Sequence, residues 1–288
     1  MVKLNSPLAV VCYDAGAANL IFSWLKDWPG KLRPFMDGPA KKMWKLAFPS
    51  QPLESNLKDV FQDAKALLTG TGWASNLEHD ARVIAAERGV YSVAALDHWV
   101  NYSQRFERSG ICQLPDKLWV ADEYAESIAR KTFPDVEVDS MPNLYLIEQL
   151  NKIGNPPCLG NILYLLEPVR NDWGRGRPGE FQALDYTLVN LRYISDYQNP
   201  KIILRLHPSE SHDKYQEYLS RYNFIKIDES PDVASAINNA DIVLGVESFA
   251  LTLALKAKRP VFSTLPPWAP PIRLPQQDII QLRKLSES

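Results

Sequence analysis

Short apolar segments alternate with longer amphipathic segments along the whole chain. The first apolar segment, 8–13, is continuous and is followed by Asp14-Ala15-Gly16. Such a run predicts a strand buried on both faces, and the small residues after it predict a tight turn into a helix. In the clearest amphipathic segment, 76–88, the apolar residues share one helical face, which leaves His79 on the polar, solvent-facing side. Strands that alternate with helices predict a parallel sheet covered by helices.

The same two patterns predict the remaining elements. Strands are predicted at 66–69, 91–96, 117–121, 136–140, 161–166, 201–206, 224–228, 241–245 and 260–263, with weaker strand predictions at 33–37 and 44–48. Helices are predicted at 19–28, 57–65, 76–88, 123–132, 178–197, 214–222, 232–239 and 247–256, with a last short helix after a proline-rich stretch. The alternation therefore continues to the end of the chain.

The pattern restarts near the middle of the chain. The segment 151–160 contains two prolines and two glycines, a composition typical of a connecting segment. We therefore predict an α/β protein of two Rossmann-like lobes with parallel sheets, residues 1–155 and residues 156–288.

The composition is that of an ordinary globular protein, and it excludes several classes. The 288 residues are 45% hydrophobic and 23% charged, with a net charge of −2, which argues against a nucleic-acid partner. No apolar run is long enough to span a bilayer, and we expect no export signal. Three scattered cysteines fit a reducing compartment, so we predict a cytoplasmic location. The histidines and acids show no metal-ligand spacing, and no metal is predicted.

Polar clusters follow the predicted strands at their carboxyl ends. Open parallel sheets bind ligands at this edge. The clusters lie at 14–16, 69–72, 97–99, 167–170, 207–210 and 245–248. Their placement predicts a ligand site, which we expect in a central cleft that the two lobes face.

Acidic and imidazole side chains in the first lobe suit proton transfer. Asp97 and His98 are the first candidates for a catalytic base, and Asp14 is the second. Asp14 also precedes a predicted helix, so it would serve equally well as the N-cap. Gly16 lies in the same turn and is a candidate for substrate contact.

Two aromatic residues continue the cluster that begins at Asp97. Trp99 and Tyr102 are candidates for stacking on a sugar or a base. So many polar and aromatic groups at a strand end are costly to bury without a purpose. The alternative is a packing motif in which all of their hydrogen bonds are satisfied.

Cations and a helix start characterise the second lobe. His207 lies between a predicted strand and the following loop, two residues after Arg205, so alternation puts both side chains on the same face, where they suit a diphosphate. The alternative is that Arg205 pairs with a carboxylate. Ser248 precedes a predicted helix, whose free N–H groups attract anions, although serine is also a good helix cap.

Two further residues complete this set of candidates. Glu247 would repel a phosphate, and we assign it to a sugar hydroxyl. Arg170 begins a glycine-rich loop that is suited to close over a donor phosphate. The alternative for this loop is a solvated segment without a ligand.

Three segments of the second lobe are similar to segments of the GT-B group, which includes nucleotide-sugar glycosyltransferases and the non-hydrolysing UDP-N-acetylglucosamine 2-epimerases. Arg205-Leu206-His207-Pro208 resembles the His-Pro motif of bacterial sialyltransferases and polysaccharide-polymerising transferases. Residues 240–251 resemble the strand-turn-helix that holds donor phosphates in this group. Residues 258–261, Lys-Arg-Pro-Val, resemble the strand entry that follows it.

This resemblance implies a metal-independent GT-B glycosyltransferase of surface polysaccharide or glycolipid biosynthesis. The second lobe would bind the nucleotide-sugar donor, with the donor phosphate on His207, and the first lobe would face a glycan or lipid-linked acceptor. No cofactor is implied, because the nucleotide sugar is a substrate. A lipid-linked acceptor leaves peripheral contact with the inner membrane open, and the sequence assigns no oligomeric state.

Two other functions fit the same resemblance. A sugar-nucleotide epimerase or hydrolase would form product without an acceptor, and it needs two acid/base groups near one sugar carbon. A non-catalytic GT-B-like binding protein would keep the fold and bind the nucleotide without turnover, since a fold alone does not determine function.

Overall fold

Two sheets organise the chain in the computed structural model, which describes residues 3–169, 171–197, 200–207 and 209–286. The chain divides into a first unit, Met1–Tyr145, and a second unit, Leu146–Ser288. Each unit contains one six-stranded sheet in which every pair of neighbouring strands is parallel. Helices lie between successive strands along the chain, so the predicted α/β class and the two parallel Rossmann-like sheets are confirmed.

The first unit is built on the strand order β2-β1-β3-β4-β7-β8. Its strands are β1 (Leu8–Cys12), β2 (Leu32–Met36), β3 (Ala66–Thr69), β4 (Tyr91–Leu96), β5 (Glu107–Arg108), β6 (Ile111–Cys112), β7 (Lys117–Val120) and β8 (Glu137–Ser140). Its helices are α1 (Ala15–Leu25), α2 (Gly38–Ala47), α3 (Leu77–Glu87), α4 (Tyr102–Phe106), α5 (Glu123–Thr132) and α6 (Leu144–Leu150), which continues into the second unit. β5 and β6 form a separate antiparallel hairpin.

The central position of β1 follows from its composition. All five of its residues are buried, because helices cover both faces of the sheet. Val10 and its neighbours on one face pack with Trp24 and Trp44, whereas Ala9 packs on the opposite face with Phe61. This strand, which pairs with a neighbour on each side, therefore delivers Asp14 to the carboxyl edge of the sheet.

The second unit is built on the strand order β11-β10-β9-β12-β13-β14. Its strands are β9 (Asn161–Leu165), β10 (Lys201–Arg205), β11 (Ile225–Ile227), β12 (Ile242–Gly245), β13 (Val261–Ser263) and β14 (Ile280–Gln281). Its helices are α7 (Gly179–Val189), α8 (Gln216–Arg221), α9 (Val233–Asn238), α10 (Phe249–Lys256) and α11 (Leu282–Ser286). The central strands β9 and β12 bring residues 166–169 and 246–248 to one edge of this sheet.

Three predicted elements are wrong. Segment 44–48 lies at the end of helix α2, where Ala40 and Trp44 are spaced by one helical turn and are both buried. Segment 57–65 contains only the short 3-10 helix Asp59–Phe61. The helix predicted at 178–197 ends at Val189. Helix α4 and the β5–β6 hairpin were not predicted.

The helices also bear on membrane insertion. In the described ranges, none of them combines the length and the apolar character that a bilayer crossing requires.

Candidate functional sites

Asp14, Gly16 and Asp97 meet at the carboxyl edge of the first sheet. A β-carbon added to Gly16 would lie 1.9 Å from Oδ2 of Asp97, and one added to Gly72 would lie 2.0 Å from Oδ2 of Asp14. A side chain at either glycine would therefore displace a carboxylate. Three residues that the sequence suggested thus form one cluster around the ends of β1, β3 and β4.

Asp97 is held by a buried arginine that the sequence did not suggest. Nη1 of Arg105 donates to Oδ1 of Asp97 at 2.9 Å, and Arg105 is only 7% exposed. The same nitrogen lies 3.3 Å from both the carbonyl and the hydroxyl oxygen of Thr71. Asp97 therefore has a fixed orientation and a compensated charge.

Glu78, on α3, links two of the turns in this cluster. Its Oε1 accepts a hydrogen bond from the N–H of Tyr13 at 2.9 Å, and its Oε2 accepts one from the N–H of Gly72 at 2.5 Å. Burial raises the pKa of Glu78 to about 7, and the charge of Asp14 raises it further while the two N–H donors oppose the shift. We therefore expect this buried carboxyl to titrate close to neutral pH.

Arg82 lies one turn further along α3 and is fully buried. Its Nη1 donates to the carbonyl oxygen of Gly70 at 3.1 Å and to Oγ1 of Thr69 at 3.3 Å. Burial lowers its pKa to about 10, and the neighbouring Glu78 opposes this change. Glu78 and Arg82 together brace the loop that follows β3.

Asp14 differs from the other acids of the cluster in the hydrogen bonds of its carboxylate. It occupies the N-cap position of α1, yet its side chain makes no capping hydrogen bond. Burial raises its pKa, and the charge of Asp97 adds to this, while Arg105 and Arg108 oppose it. Among the residues that the structure describes, none donates a hydrogen bond to this carboxylate. Such a group is suited to accept a proton from a ligand.

The aromatic residues that follow Asp97 are packed inside the unit. Trp99 is 6% exposed, and its Nε1 donates to both carboxylate oxygens of Asp122, at 3.0 and 2.9 Å. The Tyr102 ring is also buried and lies parallel to the ring of Phe133. Nδ1 of His98 accepts a hydrogen bond from the N–H of Trp99 at 2.9 Å. These contacts match the packing alternative, and a substrate role for these residues stays a prediction.

The second sheet presents an unsatisfied hydroxyl group at its carboxyl edge. Ser248 precedes α10 but makes no side-chain capping hydrogen bond, and its buried Oγ has no partner among the residues that the structure describes. Oγ1 of Thr252, one turn later on the same helix, is likewise buried and unpartnered. A buried hydroxyl without a hydrogen bond costs about 1–3 kcal/mol. Ser248 is thus prepared for an acceptor atom that the protein itself does not supply.

Two glutamates lie beside this helix start. Oε1 of Glu167 accepts a hydrogen bond from the N–H of Glu247 at 2.6 Å, while the Glu247 carboxylate is paired with Arg273. Burial raises the pKa of Glu167 to about 7, with the Glu247 charge adding to the shift. Glu167 therefore already occupies one N–H of the loop before α10.

The two cations predicted at the end of β10, Arg205 and His207, have different partners in the structure. Arg205 forms an ion pair with the buried carboxylate of Asp228 and donates to the carbonyl oxygen of Ser230 at 3.1 Å. This is the carboxylate pairing that the sequence left open. His207 is exposed overall, and its Nδ1 lies 2.7 Å from Oγ of Ser209. Partial burial of its side chain lowers the pKa of His207, and the charge of Glu210 opposes this shift. A ligand role for His207 and Arg205 stays a prediction.

Arg170 and Pro208 lie outside the described residues. The rest of the glycine-rich loop is described, and it places another cation at this edge. The Arg175 guanidinium lies 3.9 Å from the centre of the Trp268 ring. Nε1 of Trp268 donates to Oε1 of Gln182 at 2.7 Å, which fixes the ring.

Comparison with solved structures identifies the fold. The chain is similar to MnaA of S. aureus, solved with UDP, at 12% identity and a TM-score of 0.59, covering 89% of this chain and 78% of that one. A protein assigned as a UDP-N-acetylglucosamine 2-epimerase from Listeria monocytogenes gives 11% identity and a TM-score of 0.59, covering 88% and 78% of the two chains. The glycotransferase of kitacinnamycin gives 11% identity and a TM-score of 0.52, covering 89% and 79%.

Sequence comparisons give no closer relationship. No protein-family model and no curated protein sequence matches this chain. The structural similarity extends through both units, with parallel six-stranded sheets and interleaved helices. The fold of this chain is therefore the GT-B fold.

Proposed function

We propose that this protein is a nucleotide-sugar-dependent, metal-independent glycosyltransferase of surface polysaccharide or glycolipid biosynthesis that acts in the cytoplasm. The donor is a uridine nucleotide sugar, which the second unit binds at the start of α10. The acceptor is a glycan or a lipid-linked glycan, and the first unit binds it at the Asp14 cluster.

The unpartnered Oγ of Ser248 carries the donor assignment. A phosphate oxygen would accept its hydrogen bond and would meet the positive end of the α10 dipole. The choice of uridine follows from the S. aureus neighbour that was solved with UDP. As the glycosidic bond to phosphate breaks, negative charge develops on the departing diphosphate, and these donors stabilise it.

Asp14 is the proposed general base in the first unit. Its carboxylate accepts the proton of the acceptor hydroxyl, whose oxygen forms the new bond to the anomeric carbon of the sugar. A raised pKa brings Asp14 closer to the working pH, which favours proton transfer. Asp97 and His98, the first candidates from the sequence, are assigned to orientation because both are engaged by protein groups.

A thermal-shift titration with UDP, CMP, GDP and their sugar nucleotides tests the donor site. We expect a selective rise in Tm with UDP, weakened about tenfold in affinity by Ser248→Ala, because a hydrogen bond to a charged group is lost. Thr252→Val is the matched control, since it removes the other buried hydroxyl of α10 and should leave the affinity unchanged. If none of these compounds raises the Tm of the folded protein, the donor site is rejected.

A second candidate function is epimerisation of a UDP sugar. The juxtaposition of Asp14 and Asp97 favours it, because epimerisation needs two acid/base groups near one carbon. The similarity to the Listeria protein points the same way. In this case UDP-N-acetylglucosamine would change configuration in D₂O, with deuterium incorporation and without any acceptor.

Asp14→Asn separates the catalytic functions from a non-catalytic binding protein. Both enzymatic proposals expect turnover to fall at least about a hundredfold, because a general base contributes at least that factor, while the UDP-induced rise in Tm stays. Asp97→Asn keeps a similar volume and serves as the comparison variant. UDP binding without turnover on any acceptor, in D₂O or otherwise, would leave only the binding protein.

A further inference from the structure

Trp73 lies on the loop between β3 and α3, and it is the most exposed tryptophan of the described residues, with 52% of its surface accessible. Most of the other tryptophans are buried or partly buried. Trp268, the next most exposed at 38%, is covered by Arg175 and donates its N–H to Gln182. Within the described ranges, neither a ring nor a cation stacks on Trp73, and its indole N–H has no protein partner.

The backbone next to this exposed ring is firmly held. The N–H of Gly72 donates to Oε2 of Glu78 at 2.5 Å, and its carbonyl oxygen accepts from Nη2 of Arg108 at 2.7 Å. One residue earlier, the hydroxyl of Thr71 donates to the carbonyl oxygen of Ala95 at 3.1 Å. Trp73 is therefore presented from a braced loop, so exposure of its ring is not a consequence of a loose segment.

Trp73 directly follows a residue that adjoins the Asp14 carboxylate. A β-carbon on Gly72, the preceding residue, would touch the carboxylate of Asp14, which lacks a protein donor among the described residues. An exposed aromatic ring on a loop that adjoins an acceptor group without a donor among the described residues is suited to a small molecule that has both an apolar face and hydroxyl groups.

A pyranose ring matches this composition. One face of the sugar carries C–H groups, which pack on the negative face of an aromatic ring, and its edge carries hydroxyl groups that need donors and acceptors. A lipid surface would instead favour several exposed apolar side chains surrounded by lysine or arginine.

Resting on the proposed function, we infer that Trp73 is the stacking platform for the acceptor sugar, and that the acceptor of this protein presents a pyranose ring at the Asp14 cluster.

Fluorine NMR of the full-length chain labelled with fluorotryptophan tests the inference without any donor. The probes are methyl glycosides of glucose, galactose and N-acetylglucosamine, with sorbitol as an acyclic polyol control. The Trp73 resonance is identified by its loss in Trp73→Phe. We expect it to shift saturably with at least one glycoside and not with sorbitol, while the Trp268 resonance stays in place.

Two variants measure the contribution of the ring by ligand-observed NMR. Trp73→Ala should weaken glycoside binding about fivefold, and Trp73→Phe should weaken it less, because a smaller aromatic face remains. Trp268→Phe is the matched control in the second unit and should not change the affinity. Because the Trp73 ring is exposed, Trp73→Ala is expected to keep the wild-type Tm, which is checked first.

Other outcomes overturn the inference. If no glycoside shifts the Trp73 resonance up to its solubility limit, the platform is absent. If Trp73→Ala and Ile111→Ser both abolish binding to phosphatidylglycerol vesicles while glycosides have no effect, the exposed ring is a lipid contact. Glycoside binding together with silence in the nucleotide titration would reject the proposed function and leave the sugar platform in place.

Discussion

The carboxyl edges of the two sheets are built on different principles. In the first unit, charged groups are buried and connected to one another, as with Glu78 on two backbone N–H groups and Asp97 on Arg105. In the second unit, Arg205 is paired with Asp228 and Glu247 with Arg273, so that Glu167 is a buried carboxyl with a raised pKa beside an already paired acid, and a neutral hydroxyl is left without a partner among the described residues.

This difference separates two kinds of chemistry. Coupled buried carboxylates shift each other's pKa, which prepares a site for proton transfer near neutral pH. An unpartnered hydroxyl at a helix start prepares a site for an anion that arrives with the ligand. The comparison assigns proton chemistry to the first unit and phosphate binding to the second, and four experiments test it.

The largest expected effect is a pH dependence that arises in the first unit. The pKa of Glu78 is raised from 4.5 to about 7, so its stabilising contribution is complete below pH 4.5 and is lost as the pH rises through 7. Glu78→Gln removes this titration. The free energy of unfolding of the wild type relative to this variant should fall by about 3 kcal/mol across that window.

Urea unfolding at a series of pH values measures this difference. Glu87→Gln replaces an exposed glutamate on the same helix, and as the control it should retain the pH profile of the wild type. If the difference for Glu78→Gln is also constant with pH, the Glu78 carboxyl does not titrate as the structure requires.

The next prediction compares the steric effect of a glycine-to-alanine substitution on stability in the two units. A β-carbon on Gly70 would lie 2.4 Å from Oε1 of Glu78 and 2.6 Å from Cβ of Ala17, so Gly70→Ala should lower the free energy of unfolding by about 2 kcal/mol. In the second unit, a β-carbon on Gly154 meets only Oδ1 of Asn238, at 3.5 Å. Gly154→Ala should therefore be neutral or slightly stabilising in the same urea titration, and equal losses would contradict the contrast.

A smaller effect is expected on ligand affinity in the second unit. Above pH 7 the ionised Glu167 repels a phosphate at the start of α10, whereas below that pH it is neutral. Glu167→Gln should raise the affinity for UDP about tenfold at alkaline pH and very little at acidic pH. Calorimetric titration of the wild type and of Glu167→Gln with UDP at two pH values checks this. The pH dependence that remains in the variant is the part that belongs to the phosphate. A loss of affinity would mean that Glu167 is itself a ligand group.

The smallest effect concerns His207. An exposed imidazole that makes one hydrogen bond to a ligand contributes little, so His207→Ala should weaken UDP binding about threefold. Because burial lowers the pKa of His207, it gains its charge only at acidic pH, where the effect of the substitution should grow. Titration of His212→Ala, another exposed histidine, provides the control. If His207→Ala weakened UDP binding as much as Ser248→Ala does, the anion site would instead be assigned to the end of β10.

The sequence predicted the sheets and the position of Asp14 and Asp97, because a buried parallel strand and the polar turn after it leave a strong local signal. It did not predict Glu78, Arg82 or the burial of His79. These residues form the polar face of an amphipathic helix, which normally faces water.

A non-local segment covers that face. The region around the β5–β6 hairpin supplies carbonyl oxygens to it: that of Ile111 lies 3.2 Å from Nε2 of His79, and that of Gln113 accepts from Nε of Arg82 at 3.2 Å. The prediction that His79 faces solvent is therefore wrong, with 4% of it exposed. Strands of two residues are too short to leave a recognisable sequence pattern. The sequence therefore does not indicate that this hairpin covers the polar face of α3.

The contacts of Gly16 and Gly72 have a consequence for how relatives of this protein change over time. Each glycine is fixed by an acid far away along the chain, Gly16 by Asp97 and Gly72 by Asp14. We expect a relative that replaces either acid with a smaller residue to tolerate a side chain at the matching glycine, and we expect the glycine to be retained where its acid is retained. The expected signature of this site is thus two linked pairs of positions that change together, which a search for a contiguous motif would miss.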